Sequence, residues 1–364
     1  MRIKSEFKLQ NINDFKRKLF NYFSECKHVV FLDSNDYPNK DERNKKYSDF
    51  DFIFARGAHK IISPENDRFG SLQKELAIQK DWAFGILSYD LKNETEKLYS
   101  QNTDELNFPE ILFFIPKMIL FGKGNRLTVK YLSEYYSREQ VKLIVDDIGK
   151  QKIRTGYAAK KTVKLKHRFS KNQYLTSVKK LKQHIQRGDI YEANFCTEFY
   201  SENTPFNPHS TFTELNEISP TPFAGYFRIQ DAHLICAGPE RFIKKSANKI
   251  ISQPIKGTIA RGKSKPEDTG NAKRLKNDIK ERAENVMIVD LVRNDLSRTA
   301  AKSTVEVEEL FGIYKFPQVF QMISTIVSEK KATINGVEVI KAAFPPGSMT
   351  GAPKIRAMEL IEDY

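Results

Sequence analysis

Apolar residues in this chain come in short, separated runs mixed irregularly with helical periodicities, and that arrangement restricts the fold more than any other feature. HVVFL (28–32), DFIFA (51–55), WAFGILSY (82–89) and EILFFIPKMILF (110–121) are rich in β-branched and aromatic residues and predict strands. YEANFCTEFY (191–200), PFAGYFRI (222–229) and AHLICAG (232–238) predict more. Leu175, Val178, Leu181 and Ile185 recur at helical spacing ahead of a terminating Gly188. A second helical stretch runs from about Ala272 to Val292, with Leu275, Ile279, Ala283 and Val286 as its predicted apolar stripe. The strict strand–helix–strand alternation of parallel sheets is missing, so the expected class is α+β with largely antiparallel sheet.

A chain of 364 residues with 40% hydrophobic content can bury a sizeable core. No apolar run approaches the roughly 18 to 20 residues of a membrane span, and the start is charged where a signal peptide would be apolar, so a cytoplasmic protein is expected. Cys26, Cys196 and Cys236 are far apart, lack metal-ligand spacing and suit a reducing compartment. The formal net charge of +14 raises the question of an anionic polymer partner. Its densest stretch, 150–168, carries eight Lys or Arg and no acid, yet it lacks aromatic interleaving and reads as a solvated connector. The expected organisation is an N-terminal subdomain (1–150), a basic linker (151–168) and a C-terminal region (169–364), with neither nucleic acid nor membrane as partner.

Phosphate-cradling GxxxxGK[ST] loops, paired-cysteine zinc patterns and GxSxG elbows are absent from the sequence. Four other segments stand out: GPERF (238–242), QPIKGT (253–258), KERAENVMIVDLVRNDLSR (280–298) and FPPGSMTGAPKIRAMELI (344–361). Their order and spacing resemble the chorismate-binding family, which includes anthranilate, aminodeoxychorismate, isochorismate and salicylate synthases. The resemblance is dense from about Gly188 onward and thinner before it, where LSYDL (87–91) and NFPEILFFIP (107–116) still match. It implies a β-sandwich-like core flanked by helices, as in anthranilate synthase component I, and chorismate as substrate.

Lys256, in PIKGT, is by default a surface lysine on a turn. The resemblance makes it more: family members that aminate chorismate at C4 carry lysine here and anthranilate synthases alanine, so Lys256 is the expected nucleophile at C2, expelling the C4 hydroxyl. Glu240, in GPERF, matches the glutamate beside that hydroxyl and is the expected general acid, a role that requires a raised pKa. Glu281 and Glu284 share one face of the second helix, where an exposed charged face is the bland alternative; the family uses this pair to hold Mg²⁺. Thr350, Gly351, Ala352 and Lys354 are expected to wall the substrate pocket at a helix start, and Gly257 and Thr258 to fix a substrate carboxylate.

Two positions depart from the family pattern. Glu192 stands where water-adding members have a base lysine and ammonia users glutamine, and Gln321 stands where many have histidine. Residues matching a tryptophan pocket of some relatives are Ser34, Tyr47, Ser48, Asp49, Phe50, Pro222, Phe223 and Ala224. Cys196 lacks the elbow of a glutaminase nucleophile, so ammonia is expected from solution or from a glutamine amidotransferase partner. The resemblance thus points closest to aminodeoxychorismate synthase component I, with anthranilate synthase component I as the near alternative. A non-catalytic basic binding protein on the same fold is the alternative of another class. Family members also continue past the helix ending near Tyr364 with further substrate and magnesium ligands, from which residues 1–364 are expected to be an incomplete synthase with little activity alone.

Overall fold

The computed structural model describes residues 1–37, 42–152 and 163–364. Of the expected basic linker, 153–162 lie outside the described residues. An eight-stranded sheet runs in the order Arg2–Lys8, Arg126–Leu132, Ile111–Lys123, Phe52–Ile62, His28–Asp33, Phe223–Ile229, Ala232–Gly238, with Phe84–Leu87 also paired to Ile111–Lys123. Every pairing in it is antiparallel. Its last two strands come from beyond residue 168, so the sheet draws on both sides of the basic stretch. The four apolar runs of the first half all form strands of this sheet, as the sequence predicts.

The helices Ile12–Tyr22, Arg138–Lys150 and Pro208–Ile218 cover one face. Phe15, Leu19, Val141, Ile148 and Phe212 meet Phe31, Phe54, Leu120 and Tyr131 there in one buried cluster. A fully buried phenylalanine contributes about 1.5–3 kcal/mol, which makes this cluster a main source of stability.

The second sheet has five antiparallel strands. Lys249–Gln253 and Ile255–Ala260, separated only by Pro254, line one edge of Val319–Glu329, and Glu306–Lys315 lines the other. The helix Ile279–Ser297 packs on this sheet through Ile288, Val289, Val292 and Leu296 against Ile250 and Ile326. Ile62, Leu72 and Ile115 from the first sheet's side join Val337 and Phe344 in a cluster that ties the two units together. No helix among the described residues is long and apolar enough to cross a membrane.

Three local expectations change. The stretch from Ala272 to Val292 is two helices, Lys265–Asn277 and Ile279–Ser297, because Asp278 caps the second through the Glu281 N–H. The break resets the helical phase: Leu275 is buried, but Ile279 is 87% exposed, and Ala283 and Val286 are exposed too. In the helix Lys171–Arg187, ended as expected by Gly188 at φ 82°, the buried face is Ser177, Leu181 and His184, while Leu175 and Ile185 are exposed. The predicted strand 191–200 is two short pieces, Glu192–Ala193 and Phe199–Tyr200, the first paired with Gly351–Ala352.

Candidate active site

Lys256 sits where the strand Ile255–Ala260 leaves its ladder. The register against Val319–Glu329 shifts between Ile255 and Thr258, and Gly257 takes φ 105°. A Cβ at Gly257 would meet Met322 Cβ at 3.1 Å and Glu281 Oε2 at 3.2 Å, so glycine meets both the backbone and the space requirement here. The bulge turns Lys256 toward Glu192, with Nζ 3.4 Å from Glu192 Oε1. Both side chains are largely buried, 21% and 14% exposed.

Glu192 reaches Lys256 because its short strand pairs with the FPPGSMTGAP segment. Tyr191 N–H donates to Ala352 O at 2.7 Å and Asn194 N–H to Thr350 O at 2.8 Å. Gly351, at φ 155°, permits the close approach: a Cβ there would stand 2.3 Å from Glu192 O. Burial raises the proton affinity of Glu192, the nearby Lys256 charge lowers it, and Glu284 adds a raising contribution.

Glu240 follows the strand Ala232–Gly238 and enters the same region from the other side. Ser348 Oγ–H donates to its Oε1 and the Ile255 N–H to its carboxylate, and Lys256 is close enough to lower its pKa. Burial outweighs all three and pushes the Glu240 carboxyl up to about 7. Behind it lies a small, largely apolar cavity walled by Phe242, Ile243, Pro254, Val292, Leu296 and Pro346, with Ser252 and Asp295 as its polar lining.

Glu281 and Glu284 lie on the first turns of Ile279–Ser297 beside Gly257, and the Lys280 ammonium is 3.6 Å from the first and 2.9 Å from the second. Two carboxylates sharing one cation fit an Mg²⁺ held by one or two protein oxygens and completed by water and substrate. No group of three or more His, Cys, Asp or Glu with metal-binding placement occurs among the described residues. Gln321 pairs across the ladder from Thr258, and its Oε1 is buried without a hydrogen-bond partner among the described residues.

The remaining expected residues divide. Thr350 is fully buried, its hydroxyl donating to Gly347 O at 3.1 Å, and serves the loop's own shape. Lys354 points to Asp295, 2.6 Å away, and to Ala343 O; burial pushes the Asp295 carboxyl up and the Lys354 ammonium down, and their contact offsets this only in part. Thr258 is exposed. Ser34, Ser48, Pro222 and Phe223 line one small cleft with Arg241 and Tyr314. Tyr47 hydrogen-bonds Glu308, Asp49 pairs with Lys244, Phe50 packs on Phe121, and Ala224 belongs to the core. Sequence reasoning missed Ser348, Asp295, Asn285 and Ser324; the first three lie inside the four motifs, which is their only mark, and Ser324 lies outside all of them.

Residues 31–364 match the family described as chorismate binding enzyme. The chain is 32% identical over 282 residues to aminodeoxychorismate synthase component 1 of Escherichia coli, covering 77% of this chain and 61% of that protein. It is 29% identical over 290 residues to anthranilate synthase component 1 of Thermus thermophilus, with 77% of this chain and 61% of that one covered. It thus spans about three fifths of the length of these curated relatives. Among solved structures, anthranilate synthase component I from Streptococcus pneumoniae superposes with a TM-score of 0.72 at 20% identity, over 85% of this chain and 76% of that one. The menaquinone-specific isochorismate synthase of Escherichia coli superposes at 0.68 and 13% identity, over all of this chain and 78% of that one. The antiparallel α+β architecture is therefore that of anthranilate and isochorismate synthases, and the chain belongs to the chorismate-binding enzyme family.

Proposed function

We propose that this chain aminates chorismate at C4, yielding 4-amino-4-deoxychorismate, with Lys256 as covalent nucleophile. The observation that supports this reading is the convergence of a largely buried lysine and two carboxyls of raised pKa, Glu192 and Glu240, at one bulged strand. The resemblance implies lysine at this motif position in members that aminate C4 and alanine in anthranilate synthases, which favours the C4 reading.

Glu192, 3.4 Å from Lys256 Nζ, takes a proton from the ammonium, and the neutral amine forms a bond to C2 while the ring double bond shifts and the C4–O bond breaks. Glu240, protonated up to about pH 7, delivers its proton to the departing hydroxyl, which leaves as water. Ammonia then bonds to C4, the electrons shift back and Lys256 leaves C2 as the free amine, which regains its proton from Glu192, while the new C4 ammonium returns a proton to the Glu240 carboxylate. Glu281 and Glu284 would hold Mg²⁺, which supplies charge neutralisation for the substrate carboxylate when bound. The ammonia comes from solution or from a glutamine amidotransferase partner in the cytoplasm.

Incubation with chorismate, Mg²⁺ and ammonium, with products identified by mass and NMR, tests the reading. An amine at C4 with the enolpyruvyl group retained is the expected product; anthranilate or isochorismate would overturn it.

A further inference from the structure

The bulge that aims Lys256 leaves backbone carbonyls to be satisfied outside the regular ladder. Asn285, 2% exposed on the helix Ile279–Ser297, reaches into it. Its Nδ2 donates to Lys256 O at 3.1 Å and approaches Met322 O, on the facing strand, at 3.5 Å. The amide orientation is fixed from the other end: Ser324 Oγ–H donates to Asn285 Oδ1 at 2.6 Å, and Ser324 Oγ accepts from Phe311 N–H at 3.2 Å on a third strand. Ser324 is itself fully buried. One side chain therefore spans the bulge in the second sheet, and it does so from the residue following Glu284.

We propose that Asn285 is a positioning residue: its amide holds the bulge open, aims Lys256 at Glu192, and fixes the helix carrying Glu281 and Glu284 to the strand carrying Lys256. This rests on the reading of Lys256 as nucleophile. A carbonyl left without its donor away from water is destabilising, which favours a slide of the strand back into regular register. Such a slide would turn Lys256 away from Glu192, because a one-residue shift exchanges the two faces of a strand.

The test uses Asn285→Leu, which fills similar space without a donor, and Ser324→Ala, which removes the hydroxyl that orients the amide and keeps the question open should the first variant not fold. Each is treated with limiting acetic anhydride at pH 8, and acetylation of Lys256 is read by peptide mass spectrometry relative to Lys150, whose side chain is 77% exposed. Lys354, 11% exposed and paired with Asp295 elsewhere, reports general loosening. Asn285→Leu is expected to raise Lys256 acetylation at least threefold with Lys354 unchanged, and Ser324→Ala to do so less. In the same variants, the rate of chorismate adduct formation at Lys256 is expected to fall at least tenfold. Unchanged Lys256 labelling in a folded variant, or a parallel rise at Lys354, overturns the positioning role. A selective rise at Lys256 without any chorismate adduct in the unsubstituted protein would instead sink the nucleophile reading and leave Asn285 a determinant of fold alone.

Discussion

Lys256 and Glu240 are separated by fifteen intervening positions in sequence, and each owes its chemistry to a local departure from regular structure: a bulge for the lysine, an apolar cavity for the glutamate. Substituting Lys256→Ala should abolish any chorismate-derived adduct and reduce turnover at least a thousandfold, on the order of 4 kcal/mol of barrier. Intact-protein mass spectrometry checks this, and an adduct persisting on the alanine variant would place the nucleophile elsewhere. Glu240 acts as an acid only while protonated. With its carboxyl at about 7, the rate of hydroxyl loss should hold below that pH and decline as pH rises through it. The pH profile of Glu240→Gln should lack that limb at a much lower rate. The identities of both residues were legible in GPERF and PIKGT; their environment was not, since burial depends on Pro346, Ala343 and Val292, which lie far along the chain.

At the scale of elements, the site depends on two short strands that periodicity cannot detect. Glu192–Ala193 and Gly351–Ala352 are two residues each, too short to show alternation, and they join segments more than 150 residues apart. His28–Asp33, Phe52–Ile62 and Ile111–Lys123 of the first sheet were readable as apolar runs, whereas Arg2–Lys8 and Arg126–Leu132, interrupted by charged residues, were not. The helix break at Asp278 was not, because an aspartate between two helical patterns looks like one more polar position until its carboxylate is seen on the Glu281 N–H. Gly351 is the most sensitive residue of the two-strand bridge: a Cβ would stand 2.3 Å from Glu192 O and 2.7 Å from Ala357 Cβ, neither able to move freely. Gly351→Ala is expected to cost about 1–3 kcal/mol and to displace Glu192 from Lys256. Chemical denaturation and Lys256 acetylation would report the two effects separately. A fully stable alanine variant would mean that the bridge yields more easily than its contacts suggest.

For the whole molecule, the first sheet incorporates Phe223–Ile229 beside His28–Asp33, so neither side of the basic stretch completes its core without the other. Melting followed at the single tryptophan, Trp82, should therefore coincide with melting by far-ultraviolet circular dichroism. Its dependence on pH follows from two opposed sets of carboxyls. Burial opposes ionisation of Glu308, but hydrogen bonds from Lys46, Tyr47 and Lys249 outweigh it and hold the group at about 2; Asp268, bonded to Arg261, also lies at about 2. Their folded values are depressed, so their contribution is present above the unfolded values and is lost as pH falls from about 4.5 towards 2. Glu240 runs the other way: its folded value is raised, so its contribution is full below about 4.5 and is lost as pH rises through about 7. Thermal stability should peak near pH 5. Glu240→Gln should remove much of the decline between pH 5 and 8, a gain on the order of 1–2 kcal/mol at pH 8, and leave the acid side unchanged. Calorimetry of both proteins from pH 2 to 8 makes the comparison. An identical decline in the glutamine variant would show that Glu240 is ionised in the fold, and with that its role as the acid would fall.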